Sequence, residues 1–305
     1  SPGPNELHRA ALAGNALAST YRHGTGFTIA NPQDSPGPQA KVVSSSPAPG
    51  QTNVSLDTTA ARVTFDRDMS PLATVLSRSE LQKSFRVLLG GLLVVKQTAD
   101  SPVFENAGKT VVIKMLYPVR AGASYATYVN LTGSKLKKKL TNAGHEDLAM
   151  ASTWKSSPLW QTVKALTSAS FDGSGDTGSL EPSDGSSVPP QNAGVPSDSE
   201  FRLTFTKPVS PPSANERMFK IKGDKKIRLA EAPRLEDGGR TVVLRPAVPL
   251  DPGQTYLIQV KTGNKGVLLV TASGTTTIEA PKPLKIPFAT EVSAEELGES
   301  LSVGE

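Results

Sequence analysis

Histidine is the side chain best suited to moving protons near neutral pH, and this chain has three of them. His8 and His23 lie in an N-terminal stretch without clear periodicity, and His145 lies in the segment 142–147 after a basic run. Acid–base catalysis needs such a group, or paired carboxylates, held in a cleft. The sequence has no nucleophile elbow, zinc-binding His-Glu-x-x-His or phosphate-binding glycine loop. It therefore predicts a protein that is not an enzyme, with His145 as an exposed loop residue.

One acidic segment has the composition of a cation-binding loop. Asp172 and Asp176 stand four residues apart in Asp-Gly-Ser-Gly-Asp-Thr-Gly, where the glycines would let the backbone wrap around a calcium ion. A third acidic or amide ligand between them is missing, as is a bidentate glutamate at the expected distance. We interpret residues 172–200 as an acidic loop and keep calcium at Asp172 and Asp176 as the alternative. No other cofactor is expected.

A basic run is formed by Lys135, Lys137, Lys138 and Lys139. Such a run could contact phosphates or acidic glycans. It lacks the interleaved aromatic residues that stacking on bases requires, so no nucleic-acid partner is expected. We interpret it as a solvated hairpin whose charges oppose edge-to-edge aggregation, with contact to a polyanion as the alternative.

Composition favours β structure in two domains. The chain has 305 residues, which suits two compact domains, and 26 glycines and 25 prolines, which indicate many turns. The absence of cysteine excludes disulfides and thiolate metal sites. A net charge of +5 favours mild attraction to anionic polymers. No apolar run is long enough to span a membrane, and no signal peptide is present, although a removed signal or lipid anchor is compatible with the sequence.

An ordered set of segments occurs twice along the chain. The corresponding pairs are 41–54 with 180–188, 61–71 with 201–211, 85–89 with 219–223, 109–113 with 240–244, and 117–125 with 247–256. Apolar and polar residues alternate within them, so that Val63 and Phe65 share one face of a predicted strand. Short alternating strands separated by glycine and proline turns predict a β-sandwich in each half.

Aromatic residues recur at matching positions of the two copies. Phe65 corresponds to Phe205, and Tyr125 corresponds to Tyr256. A unique binding site is seldom duplicated, so we interpret these four residues as core. Both tyrosines follow a glycine-containing turn, as in the tyrosine corner of Greek-key sandwiches, where the hydroxyl bonds to nearby backbone. The two copies are expected to bury two separate apolar cores.

The repeated motifs resemble a known family. Ser-Pro-x-x-Gly-x-x-Asn-Val, x-Val-Thr-Phe-Asp-x-x-Met-Ser-Pro and Thr-Val-Val-Ile before Pro-x-x-Ala-Gly-x-x-Tyr are similar to the bacterial Ig-like domains of S-layer proteins, of the SbsA type. Family members commonly end in Phe-x-Thr, which Phe288–Thr290 matches and residues 151–154 match only loosely. The resemblance implies an all-β protein of two tandem immunoglobulin-like Greek-key sandwiches.

The predicted organisation follows from the repeat and the resemblance. We expect an N-terminal tether or docking segment at 1–40, with a helix over 6–21 or disorder, and Ig-like domains at 41–156 and 157–291. Residues 292–305 form an acidic tail in which Ser293–Glu296 could make one helical turn. The expected function is a non-catalytic structural or adhesive module outside the cytoplasm, with a cell-envelope polymer or another surface protein as partner and membrane contact only through a removed lipid anchor. Accessory or glycan-binding domains of a larger envelope enzyme are the alternative.

Overall fold

The computed structural model describes residues 39–183, 187–189, 192–279 and 283–292, together with two short strands near the N-terminus. These strands, β1 (Thr20–Arg22) and β2 (Thr28–Ala30), pair antiparallel. The helix predicted over 6–21 lies mostly outside the described residues, and its last two residues are in β1 instead. The helical turn predicted at 293–296 also lies outside the described residues.

The first sandwich has two sheets. Its strands are β3 (Val42–Ser46), β4 (Ala60–Phe65), β5 (Phe85–Leu89), β6 (Leu93–Val94), β7 (Val103–Glu105), β8 (Thr110–Lys114), β9 (Ser124–Val129), β10 (Trp154–Lys155) and β11 (Trp160–Gln161). One sheet has the order β3-β4-β8-β7 and the other β10-β9-β5-β6, with β11 also paired to β9. Helices α1 (Leu72–Val75) and α2 (Arg78–Ser84) connect β4 to β5, and α3 (Ser134–Asn142) lies between β9 and β10.

The second sandwich repeats this arrangement and adds one strand and one strand pair. Its strands are β12 (Leu166–Gly173), β13 (Asp176–Leu180), β14 (Glu200–Phe205), β15 (Phe219–Lys222), β16 (Lys226–Ile227), β17 (Arg234–Glu236), β18 (Thr241–Leu244), β19 (Thr255–Val260), β20 (Leu268–Thr271), β21 (Gly274–Thr277) and β22 (Leu284–Ala289). The sheets have the orders β13-β12-β14-β18-β17 and β16-β15-β19-β22, where β13 is the added strand, and the added pair, β20 and β21, forms a separate hairpin.

Both sandwiches have the immunoglobulin topology that the resemblance implies. The chain crosses between sheets at equivalent points, from β4 to β5 and β8 to β9 in the first, and from β14 to β15 and β18 to β19 in the second. Parallel bridges join Val54 to Thr162 and Val195 to Thr290, so in each sandwich the segment before β4 or β14 also meets the end of the last strand, in the other sheet. These crossings are the Greek-key connections of the Ig fold. The fold prediction is confirmed.

The predicted core residues are buried. Phe65 and Phe85 meet edge to face at 6.2 Å between ring centroids, and Phe205 and Phe219 do the same at 6.1 Å in the second copy. Apolar residues therefore occupy the inner faces of both sandwiches, as the alternation predicts. The expectation of two separate cores is wrong, however, because the buried apolar residues of both sandwiches form one connected cluster.

Strand pairing corrects the predicted domain boundary. The sequence predicts that the first domain ends at residue 156, but β11 at Trp160–Gln161 pairs with β9 of the first sandwich. The last strand is split into β10 and β11, and only tertiary pairing reveals its second part. In the second copy the strand next to β14 is β12, rather than residues 180–188, so the predicted match at that segment is also wrong.

Two segments expected to be irregular or extended have different structures. Residues 172–178 belong to the β12–β13 hairpin rather than to a loop, because Ser174 and Gly175 both take the positive φ values that a tight two-residue turn needs. The basic run forms helix α3 instead of a hairpin. Leu136 and Leu140 are four residues apart, which places them on one helical face, and Leu140 is fully buried.

Candidate functional site

His145 does not lie in a reactive cluster. It precedes a short 3-10 helix at 146–148, and its backbone N–H donates to the carbonyl of Leu140 at the end of α3. Among the described residues no group of three or more His, Asp and Glu side chains could hold a metal ion. The part of the chain that the structure describes also holds no helix long and apolar enough to cross a membrane.

The two carboxylates of the calcium hypothesis are not brought together. In the β12–β13 register Asp172 pairs with Thr177, whereas Gly173 pairs with Asp176. Paired residues share a face and neighbouring residues alternate, so Asp172 and Asp176 point to opposite faces of the hairpin. A shared ion would require the hairpin to rearrange.

The lysines of the basic run project from α3 along several directions. Lys135, Lys138 and Lys139 are exposed, and Lys137 is half-buried. The Lys139 Nζ lies 2.6 Å from Glu80 Oε1, and this hydrogen bond lowers the pKa of Glu80 to about 2. One of the four lysines, Lys139, therefore forms an ion pair that links α3 to α2.

Each sandwich contains a tyrosine corner at the turn before β9 or β19. The Tyr125 Oη accepts a hydrogen bond from the Arg120 N–H at 2.8 Å, and the Tyr256 Oη accepts one from the Asp251 N–H at 2.9 Å. Both tyrosines are buried. Burial raises the pKa of Tyr125 to about 12 and raises that of Tyr256 in the same direction. The predicted tyrosine corners are confirmed.

A threonine directly after the last strand completes each corner. The Thr162 hydroxyl donates to the Arg120 carbonyl at 2.7 Å and accepts from the Ala123 N–H at 2.9 Å. Thr290 makes the equivalent bonds with the Asp251 carbonyl at 2.7 Å and the Gln254 N–H at 3.0 Å. Each hydroxyl thus ties the turn to the final strand.

An aromatic residue two positions before each threonine packs on the corner tyrosine. Trp160 stacks on Tyr125 at 4.7 Å, and Phe288 stacks on Tyr256 at 5.6 Å. The match to Phe-x-Thr in the first copy is therefore Trp160-x-Thr162, and the loose match at 151–154 is wrong. The aromatic-x-Thr spacing is present in the sequence, but it lies beyond residue 156, where the first domain was predicted to end.

The corner of the first sandwich also forms the domain junction, which we define as Asp57 and 119–122 of the first sandwich with Lys207 and 264–279 of the second. A parallel bridge joins Ala121 to Ile278. The Ala121 N–H donates to the Thr277 carbonyl at 3.0 Å, and the Glu279 N–H donates to the Ala121 carbonyl at 2.9 Å. Hairpin β20–β21 is thereby joined by backbone hydrogen bonds to the first sandwich.

Charged side chains flank this backbone contact on both sides. Arg120 pairs with Glu279 and also donates to Asn264 Oδ1 at 2.9 Å. Asp57 accepts from Lys207 Nζ at 2.6 Å and from the Ala272 N–H at 2.8 Å. The Lys207 hydrogen bond is the main cause that lowers the pKa of Asp57. The junction thus combines a backbone bridge with oriented ion pairs.

Sequence reasoning did not identify the hairpin that makes this junction. The signal was the extra length between β19 and β22, where Leu-Leu-Val-Thr and Gly-Thr-Thr-Thr flank a short turn. Alternation alone predicts a hairpin there, yet nothing in it shows which surface the hairpin contacts. That contact depends on the neighbouring sandwich.

A comparison with protein families agrees with this fold in the second sandwich. A family model described as a bacterial Ig-like domain matches residues 179–290. No curated protein matches the chain. Among solved structures, domains 1–6 of the surface-layer protein SbsC are 13% identical over 84% of this chain and 41% of that one, with a TM-score of 0.26. The N-terminal Ig1-2 module of the Drosophila receptor protein tyrosine phosphatase DLAR is 11% identical over 84% and 100%, with a TM-score of 0.21. The family match supports the conclusion that this is an all-β protein of Ig-like sandwiches whose second copy is similar to bacterial Ig-like domains.

Proposed function

We propose that the chain is a non-catalytic structural module of the bacterial cell surface or periplasm, in which two Ig-like sandwiches are held as one stiff unit. The observation that carries the proposal is the domain junction. Tandem domains joined only by a flexible linker reorient relative to each other. Here hairpin β20–β21, which lies outside the second sandwich's own sheets, is hydrogen-bonded to the first sandwich.

The connection between the sandwiches supports the same proposal. β11 ends at Gln161 and β12 begins at Leu166, so only residues 162–165 link the two domains. Val163 accepts a hydrogen bond from the Gly122 N–H at 2.8 Å, and Ala165 is buried. A linker this short and this well bonded restricts bending between the domains.

The extracytoplasmic location and the S-layer type of the domains belong to the proposal. They are supported by the bacterial Ig-like family match at 179–290 and by the motifs that both halves share. The non-catalytic role is supported by the hydrogen bonds that the repeated polar side chains make. Tyr125, Thr162, Tyr256 and Thr290 all bond to backbone of the corners, so their chemistry is used to hold the fold.

The two copies supply a matched test of stiffness. At the positions of Arg120 and Ala121 the second sandwich has Asp251 and Pro252, in an otherwise equivalent corner. The double variant Arg120→Asp with Ala121→Pro therefore imports a turn that the fold accepts. It removes the N–H that bonds Thr277 and places a carboxylate beside Glu279. The reverse variant, Asp251→Arg with Pro252→Ala, changes the corner outside the junction and is the control.

Residual dipolar couplings measured on the two sandwiches report whether they share one orientation. We expect a common alignment tensor for the natural chain and the control, and two different tensors for the junction variant. Independent tensors in the natural chain would contradict the proposal, and so would a common tensor in a junction variant that is folded.

A further inference from the structure

The outer faces of the two sheets in each sandwich differ in how their charges are paired. On the β14-β18-β17 face of the second sandwich, Arg202 bonds Glu200 at 2.8 Å and also pairs with Glu236, and Arg234 bonds Glu236 at 2.8 Å. On the corresponding face of the first sandwich Arg62 lies 3.7 Å from Glu105. Cations on these faces are neutralised by acidic neighbours.

The opposite sheets carry clefts lined by cations. In the second sandwich one ion pair, between Lys226 and Glu216 at 3.1 Å, lies on this sheet but outside the cleft lining. A cleft of about 280 Å³ beside β5 and β6 is lined by Lys83, Arg86 and Lys96. A cleft of about 360 Å³ beside β15 and β19 is lined by Arg217, Lys220 and Lys261. Neither lining contains an aspartate or glutamate, and within the described part of the chain none of these six cations forms an ion pair.

Two of the three cations in each cleft are related by the repeat. Phe85 and Phe219 begin equivalent strands. Lys83 and Arg217 both precede that phenylalanine by two residues, and Arg86 and Lys220 both follow it by one. Lys83 and Arg217 are exposed, and Arg86 and Lys220 are half-buried. The same pair of positive charges is therefore presented at the same place on both sandwiches.

Packing does not explain this repetition, because these side chains are not in the core. Unpaired like charges placed around one cleft repel each other and are stabilised by a bound anion. The clefts also offer hydrogen-bonding amides, such as Gln259 in the second. Cations with neutral polar groups suit a hydroxyl-rich unit that carries a carboxylate or phosphate.

The remaining lining residues argue for a sugar polymer over a nucleic acid or a membrane. No aromatic side chain lines either cleft, so stacking on bases is not provided. The exposed apolar residues Leu93 and Val94 belong to β6 at the first cleft, whereas the apolar residues that line the second, Met218 and Pro283, are half-buried. A lipid surface would need exposed apolar anchors beside both cation pairs. A repeating chain could occupy both clefts and gain from the second contact.

We propose that these two clefts are binding sites for one extended anionic polysaccharide or polyol phosphate, held by Lys83 and Arg86 on the first sandwich and by Arg217 and Lys220 on the second. The proposal adds a partner class to the structural module and does not depend on its stiffness. A rigid junction fixes the distance between the clefts, but either cleft could bind alone.

The test compares charge reversals of equal size at different places. Lys83→Glu with Arg86→Glu changes the first cleft, and Arg217→Glu with Lys220→Glu changes the second. Lys135→Glu with Lys138→Glu on α3 is the matched control, because it changes net charge equally and removes no ion pair within the described residues. The corresponding glutamine variants of each cleft check that lost positive charge, rather than misfolding, causes any effect.

Binding is measured on immobilised polygalacturonate and poly(glycerol phosphate), with neutral dextran, a double-stranded oligonucleotide and phosphatidylglycerol vesicles as further probes. We expect binding to one or both anionic polymers and none to dextran. Each cleft variant should weaken that binding at least about tenfold, and the four-site variant should abolish it, because two linked contacts reinforce each other. The α3 variant should change it less than about threefold, as expected for a weak, screened long-range charge effect.

Several results would overturn the proposal. These are no binding to either anionic polymer, an equal loss in the α3 variant, or binding confined to the oligonucleotide or to vesicles. The carboxylate polymer and the phosphate polymer are tested separately, so the same experiment identifies which anion the clefts prefer. Dipolar couplings on the cleft variants keep this outcome distinct from the proposed stiffness, since a chain that fails to bind can still show one alignment tensor.

Discussion

The two tyrosine corners have the same local construction but different surroundings. In the first, Tyr125, Thr162 and Trp160 hold a turn whose outer side contacts hairpin β20–β21 of the other sandwich. In the second, Tyr256 and Thr290 hold a turn whose residues Asp251 and Gln254 are exposed. The comparison shows that the corner is a feature of each sandwich on its own. Only the first corner also serves as a docking surface, because hairpin β20–β21 of the second sandwich contacts it.

The connections after β9 and β19 also differ in whether they contact their own domain or the other one. In the first sandwich this connection contains helix α3, which is fastened to α2 of its own domain by Lys139 and Glu80. In the second it contains hairpin β20–β21, which is bonded to the other domain. Equivalent loops can therefore serve a domain or a junction while the sheets stay unchanged, because surface connections tolerate insertions.

The largest effect is expected from removing the aromatic residue that covers a corner. Trp160→Ala should lower the free energy of unfolding by about 3–5 kcal/mol, since it removes a fully buried ring and leaves a cavity against Tyr125. Phe288→Ala should have a loss in the same range at the other corner. Urea denaturation followed by fluorescence and circular dichroism measures both. A loss under about 1 kcal/mol for either variant would show that the ring is not part of a packed core.

A smaller effect should distinguish the two corners. Thr162→Val keeps the shape but leaves the buried Ala123 N–H without its acceptor, so we expect a cost of about 1–3 kcal/mol. Thr290→Val should cost only about 0.5–1.5 kcal/mol, because Gln254 is exposed and its N–H can bond to water. The same denaturation experiment applies. Equal costs would mean that the junction does not shield the first corner from solvent.

The smallest effect near neutral pH is expected from the Tyr125 hydroxyl, whose ionisation also gives the first corner a pH dependence. The folded-state pKa of Tyr125 is about 12, above the ordinary value of 10.0, so its contribution is complete below pH 10 and is lost as pH rises toward 12. Tyr125→Phe should cost about 0.5–1.5 kcal/mol near neutral pH and should flatten the alkaline loss of stability. Tyr256→Phe is the comparison at the other corner. The pKa of Tyr256 is raised as well, so this variant should also remove part of the alkaline loss, although that tyrosine lies outside the junction.

Absorbance at 295 nm identifies the residue that ionises. The difference between the titration curves of the natural chain and the Tyr125→Phe variant should show a transition near pH 12. A difference transition at or below pH 10 would mean that the Tyr125 hydroxyl is reached by solvent in the folded protein.

The fold itself could largely be predicted from residue patterns. Alternation in segments such as 62–65 and 256–260 depends on a two-residue period, and it placed Val63, Phe65, Tyr256, Ile258 and Val260 in the interior, where the structure has them. The tyrosine corners were predicted because a turn and a tyrosine five residues apart are a local pattern. The basic run was predicted wrongly, because its helix depends on burying Leu140 against the sandwich.

Local spacing therefore determined the two sandwiches, their turns and their core aromatics, since these follow from backbone geometry and from the exclusion of apolar side chains from water. Only the tertiary structure decided that β11 belongs to the first domain, that β20–β21 contacts Ala121, and that two equivalent cation pairs line clefts. Each of these depends on contacts between residues far apart in the chain. Their pairing is chosen by the shape and charge of surfaces that exist only after the strands have assembled.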